Sequence, residues 1–214
     1  MVKISSRAIL LLFSLFIFGC TPAVLPVAAP GVAIDATGKQ AIMRHGDLEI
    51  RTHLETLEVA PYRMVDNLSS FYFLIRNHGA SPVSVPLSSF YLVDQGGISV
   101  TAVEPEKIQG IVQKDSQYLI PYPYVGYYYL EDREKSSFFN TFDSSLPYYA
   151  SNNPQDIFTY ALPQSPVLPG SAIEGSVYFT ANLTAKKFFE IRIYLPGTPL
   201  ASPPDFRFPF SVEN

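Results

Sequence analysis

Tryptophan is absent from this chain, cysteine occurs once, at Cys20, and histidine three times, at His45, His53 and His78. No histidine follows His78, so three scattered rings with no cysteine beside them make a metal centre an unsupported reading. No run of lysine or arginine occurs and the net charge is −4, so the electrostatic footprint of a nucleic-acid binder is missing. No G-x-S-x-G pattern marks a serine-hydrolase elbow, since Gly175-Ser176 falls inside a strand pattern. What is abundant is proline, 19 residues, with 14 Tyr and 16 Phe. Proline removes a backbone donor and clashes inside helices, which argues against a mainly helical fold. A hydrophobic content of 47% is that of a globular chain.

The N-terminus has its own order. Lys3 and Arg7 precede an apolar stretch, Ala8 to Phe18, and Gly19 and Cys20 follow it. No acidic residue occurs before Asp35. The stretch spans about 11 residues, right for a signal core and short of the roughly 20 that a spanning helix needs. This order resembles the export signal and lipobox of bacterial lipoproteins. Ile17 stands where Leu is commonest in that motif, while Phe18 is bulkier than usual. The resemblance implies that 1–19 is a signal peptide cut before Cys20, and that Cys20 carries diacylglycerol and a further acyl chain of the palmitate class. Acylation would use the single thiol and leave none for a disulfide. Thr21, where Asp would retain the inner membrane, implies the outer membrane facing the periplasm. Each buried CH₂ contributes about 0.8 kcal/mol, so several chains make release slow. The rival readings are an ordinary signal peptide with a chance cysteine, or a buried core segment. Loss of Lys3 and Arg7 leaves 13 basic against 19 acidic side chains, a net charge of about −6.

Residues 20–39 are predicted to be a tether, because Pro22, Pro26, Pro30, Gly31 and Gly38 punctuate small apolar residues. The competing possibility, a first strand, applies to Gly31–Ala36. From Asp47 the period becomes two: Leu48, Ile50, Thr52 and Leu54 alternate with Glu49, Arg51, His53 and Glu55. Further strands are predicted at Ser70–Arg76, Val83–Val85, Ser89–Val93, Ile98–Val103, Ala172–Ala181, Phe188–Leu195 and Asp205–Val212, with turns at Asn77–Ala80 and Asp94–Gly97. Pro209 predicts an edge strand or a bulge for the last of these. Short strands at such intervals predict one β-sandwich domain over 40–214. It is interrupted by an aromatic-rich, partly helical insertion over about 104–165, with short helices expected over 104–113 and 126–142.

Two segments resemble small envelope domains of immunoglobulin-like fold. Ser70–Val85 places Asn77, Gly79 and Pro82 between two strands, and Val167–Gly170 followed by Gly175–Phe179 matches a later strand of that group. The resemblance implies an immunoglobulin-like antiparallel β-sandwich and supplies no activity.

Met43-Arg44-His45-Gly46-Asp47 also resembles the nucleophile motif of histidine phosphatases. That chemistry needs a second His and further Arg on one phosphoryl group. The histidine count and the β pattern leave Arg44-His45-Gly46 as a strand end and turn. His53 and Glu55 share an outward strand face, which is weak metal-binding potential at most. The best working surface is the insertion, with Tyr127, Tyr128, Tyr129, Tyr148 and Tyr149, since tyrosine stacks on sugar rings and supplies hydroxyls at small entropic cost. The alternative is that these rings fill a satellite core. The expected function is a non-catalytic, membrane-anchored binding module for an envelope protein or glycan, with no cofactor. The alternatives are a phosphatase-like hydrolase acting through His45, or a purely structural envelope protein.

Overall fold

Apolar residues at alternate positions build strands because one face of each strand must leave water. The structure, a computed structural model, describes residues 23–55, 68–109, 111 and 156–213. Cys20, Tyr127, Tyr128, Tyr129, Tyr148 and Tyr149 lie outside these residues, as does the helix expected over 126–142. Ten strands occur among the described residues: β1 (Ala23–Pro26), β2 (Val32–Ile34), β3 (Ala41–His45), β4 (Leu48–Glu55), β5 (Ser69–Asn77), β6 (Phe90–Asp94), β7 (Ser99–Thr101), β8 (Ala172–Phe179), β9 (Phe188–Ile193) and β10 (Phe206–Glu213). They form two five-stranded sheets, ordered β1-β10-β9-β6-β7 and β2-β3-β4-β5-β8. Every strand pairing is antiparallel. The chain passes between sheets at β1–β2, β5–β6, β7–β8 and β8–β9, in the manner of immunoglobulin-like sandwiches. The mainly β sandwich predicted from the sequence is the observed fold.

Phenylalanine does the work that tryptophan often shares. Phe71, Phe73, Phe90, Phe179, Phe189, Phe206, Phe208 and Phe210 are fully buried between the sheets. Phe189 and Phe210 stack at 5.3 Å, and Phe71 from the facing sheet meets both, at 5.8 and 5.3 Å. Burying each ring contributes about 1.5–3 kcal/mol, and edge-to-face or offset contacts add to that. Leu48, Ile50 and Ile75 complete the inward face of the second sheet.

The structure departs from expectation at three places. Ala23–Pro26 and Val32–Ile34, read as tether, are strands: Ala23 pairs with Glu213 and Val32 with Met43. Prolines at the ends of these short segments leave enough donors for pairing, as Val27 N–H shows by donating to the Pro209 carbonyl at 2.9 Å. Pro209 itself lies on an interior strand, between β1 and β9. Its nitrogen points the same way as its carbonyl, toward Val27 just past the end of β1, so the bond it forgoes is the reciprocal one at the end of that ladder. Val83–Val85 forms only an isolated bridge, Val83 to Val167.

The insertion begins and ends in ordered chain. A helical turn over 105–109 and the short helix Asp156–Thr159 bring fully buried Ile108 and Ile157 onto Tyr178 of β8. Leu68, Val103 and Ala161 pack around them, which makes a second, small core on the outer face of the second sheet. The same chain covers the free edge of β8. Val103 N–H donates to the Tyr178 carbonyl at 2.8 Å, Ser176 N–H to the Tyr160 carbonyl at 2.6 Å, and Leu162 N–H to the Ser176 carbonyl at 2.9 Å. Gly175 permits this approach: a Cβ there would lie 2.7 Å from the Ala161 carbonyl oxygen and from Leu162 Cα and N. The remaining sheet edges, β1, β2 and β7, are only three or four residues long.

Candidate functional site

Arg44 and His45 are consecutive residues of β3, so they face opposite sides of the sheet. Arg44 turns outward and grips its cross-strand partner Glu49, with Nε 2.6 Å from Oε2. His45 turns toward the facing sheet. Its Nε2 lies 3.7 Å from Asp205 Oδ1 and its ring meets Phe206 edge-on at 5.8 Å. Asp205 is also occupied from behind, accepting the Leu195 N–H at 2.8 Å. The two groups that phosphoryl chemistry would need together therefore engage separate carboxylates. Gly46, at φ +55, occupies the first position of the two-residue turn from β3 to β4, where a type II′ hairpin needs positive φ.

Glu49 is nearly inaccessible although it stands on an outer face. Arg51 supplies the second clamp, Nε and Nη2 reaching Oε1 at 2.9 and 2.8 Å, and His78 Nε2 stands 3.7 Å from Oε2. The first sheet repeats the device. Glu190 on β9 is also buried and accepts Arg192 Nη2 at 2.9 Å and a short contact from Arg207 of β10. Burial by itself pushes both carboxyls up. The guanidinium hydrogen bonds outweigh it, from Arg51 and Arg44 at Glu49 and from Arg207 and Arg192 at Glu190, and hold both below the ordinary glutamate value. These are structural clamps, with the carboxylate saturated by its own arginines.

A third polar cluster occupies the outer face beside β8. Tyr72 O–H donates to Glu174 Oε2 at 2.6 Å, and burial, then that hydrogen bond, pushes its pKa up to about 12. The His53 ring lies 5.0 Å from Tyr72, and Gln40 Nε2 approaches His53 Nδ1 at 3.5 Å. Glu55 accepts a short hydrogen bond from Ser176. His53 and Glu55, which share one strand face in sequence, thus take different partners. Among the described residues no three His, Asp or Glu side chains are grouped to hold a metal ion. Ser176 is buried and both of its backbone groups are bonded to the 160–162 pass, so its hydroxyl is not presented to a substrate.

The remaining feature is apolar. Phe158 and Tyr160, at the downstream root of the insertion, are 40% and 61% exposed. They follow Ile157, whose carbonyl accepts the Tyr178 hydroxyl at 3.0 Å. The five tyrosines singled out in the sequence lie beyond this root, outside the described residues. Sequence reading passed over the two buried glutamates. Their signal is Glu-x-Arg on one strand, Glu49-x-Arg51 and Glu190-x-Arg192, which sets a carboxylate and a guanidinium on the same face.

No family model matches the chain and no curated protein matches it. Among solved structures, the yjhA protein of Bacillus subtilis aligns at 10% identity with a TM-score of 0.39, over 75% of this chain and 82% of its own. ycdA, a proposed lipoprotein of the same organism, aligns at 12% identity with a TM-score of 0.40, over 78% of this chain and 38% of its own. MPT63, a secreted protein of Mycobacterium tuberculosis, aligns at 9% identity with a TM-score of 0.35, over 78% and 85%. Similarity at this level speaks to neither activity nor location.

Proposed function

We propose that the chain is a membrane-anchored lipoprotein of the cell envelope, held by lipid on Cys20 and acting as a non-catalytic binding module. The insertion, with Tyr127, Tyr128, Tyr129, Tyr148 and Tyr149, meets a protein or glycan partner. One observation carries the reading: both roots of the insertion are seated on a rigid sheet. Ile108 and Ile157 are fully buried against Tyr178, and exposed Phe158 and Tyr160 continue the aromatic character outward. Loops held at both ends by a rigid scaffold are suited to recognition, and exposed tyrosine supplies stacking area with a hydroxyl. The outer-face carboxylates Glu49 and Glu190 are committed to their own arginines, which leaves the insertion as the surface with unassigned chemistry.

The test has two arms. A fatty-acid probe should label the wild-type protein and leave the Cys20→Ser protein unlabelled; equal labelling refutes the anchor. A photo-crosslinker at Tyr128 or Tyr148 should capture one dominant envelope partner, and alanine at the neighbouring tyrosines should abolish capture without changing Tm. Lost stability with unchanged capture would mean that the rings fill a satellite core. Phosphoester hydrolysis abolished by His45→Ala would replace the binding reading with an enzymatic one.

A further inference from the structure

We propose that one end of the sandwich rests on the phospholipid surface, and that Ile98, which closes the β6–β7 turn opposite Asp94, enters the interfacial region of the bilayer. This rests on the lipid anchor at Cys20 proposed above. The first argument is reach. Only two residues, Thr21 and Pro22, separate Cys20 from Ala23, where β1 begins three steps on. An extended chain covers at most about 3.3–3.6 Å per residue, so the start of β1 lies within roughly 11 Å of the acylated sulfur-bearing residue. That is little more than the headgroup layer, which is about 5–8 Å deep on each side. A domain whose first strand begins there cannot be lifted away by the tether that the sequence alone predicts.

The second argument is which end this places downward. Ala23 pairs with Glu213, Ser211 with Phe188, Phe189 with Asp94, and Val93 with Ser99. The start of β1 therefore shares its end of the sheet with the turn from Asp94 to Ile98 and with the β8–β9 connection. Ile98 is 66% exposed, more than any other large apolar residue among those described. The turn is stiff. Asp94 Oδ1 accepts the N–H groups of Gly96 and Ile98, each at 2.9 Å, Gly97 takes φ +79, and Asp94 Oδ2 holds Lys186 Nζ at 2.8 Å.

The third argument is charge. Lys39, Lys186 and Lys187 lie toward this end, whereas Arg44, Arg76, Arg192 and Arg207 lie toward the other. Lysine keeps its charge in the headgroup layer while its stem lies along apolar surface. Among the described acidic residues of this end, Asp94 is bound to Lys186, Glu55 to Ser176, and Asp35 to Thr37 and the Lys39 and Gln40 amides, while Glu213 and, just past Val103, Glu104 and Glu106 are exposed. Both signs of charge occur among the described residues of this end, so charge is not what draws the protein to the bilayer. The anchor supplies proximity, and Ile98 fixes orientation.

The absence of tryptophan gives a clean probe. Ile98→Trp and Leu200→Trp each introduce a single indole at an exposed site, and Leu200 lies in the β9–β10 connection at the opposite end. Each full-length lipidated protein is reconstituted in phosphatidylethanolamine–phosphatidylglycerol vesicles containing brominated lipid. The I98W protein should show blue-shifted emission and at least threefold stronger quenching than L200W. Equal quenching of the two, in protein that carries the fatty-acid label, would overturn the docking while the anchor stands. Absence of the label from the wild-type protein would overturn both.

Discussion

Asn77 ends β5 with no exposed surface, and its side chain ties three pieces of chain together. Its Nδ2 donates to the Ser81 carbonyl at 2.7 Å and the Val167 carbonyl at 3.0 Å, and its Oδ1 accepts the Gly79 N–H at 2.8 Å. Its own backbone binds Ser171 and Gly170 at 3.0 and 2.9 Å. Each hydrogen bond contributes a net of about 0.5–1.5 kcal/mol, so Asn77→Ala should cost about 2–4 kcal/mol. In a domain of this size each kcal/mol moves Tm by about 2–4 °C, so far-UV circular dichroism should record a fall of about 4–16 °C. Asn77→Asp is the sharper variant. It keeps the acceptor toward Gly79, loses both donors, and sets a carboxylate against two carbonyl oxygens. Burial and those oxygens disfavour the charged form, so its folded pKa rises above the unfolded value of about 3.9. Between those values the folded state binds more protons, and stability falls as pH rises. N77D should therefore be no more stable than N77A at neutral pH and should gain on it as pH drops toward 4. An N77D protein with wild-type Tm at neutral pH would refute this account of the turn.

Two further perturbations follow from packing and charge. Gly175→Ala forces a Cβ against backbone atoms at 2.7 Å that no rotamer change can move, so it should cost about 1–3 kcal/mol and lower Tm by about 2–12 °C; an unchanged melt would show that the 160–162 pass is loosely held. Glu49 and Glu190 have folded pKa values below 4.5, so their contribution is complete above the unfolded value and is lost as pH falls through the folded one. Urea midpoints should decline between about pH 5 and pH 2, and the E49Q/E190Q double variant should be less stable at neutral pH with a shallower decline; parallel slopes would exclude these two carboxylates as the origin of the acid limb.

Strands with one buried face were legible because a period of two is written directly in the side chains. Leu48, Ile50, Phe71, Phe73, Ile75, Phe189, Ile191 and Ile193 all point into the core as their alternation predicts. The turn at Asn77–Ala80 was legible from residue type, and so was the hairpin at Asp94–Gly97. Short strands that owe their existence to a partner were not. Ala23–Pro26 is too brief and too proline-marked to announce itself, and the ladder with Phe210, Ser211, Val212 and Glu213 makes it a strand. Pro209 misled in the same way, because whether a strand is interior at a given residue depends on where its neighbour stops. Of the candidate site, Arg44-His45-Gly46 was legible as a strand end and turn, and strand alternation separates the two consecutive side chains. The membrane contact proposed for Ile98 could not be read from the sequence, since nothing there says that the start of β1 and the β6–β7 turn share one end of the sheet.

An unpaired strand is the shape most apt to recruit another copy of the same chain. β8 is the long outer strand here, eight residues ending on Phe179, and the returning chain at Val103 and Tyr160–Leu162 already takes its hydrogen bonds. The two ends of the insertion therefore shield this edge from strand-to-strand pairing between copies, and shortening that insertion would have to spare them to keep the edge covered.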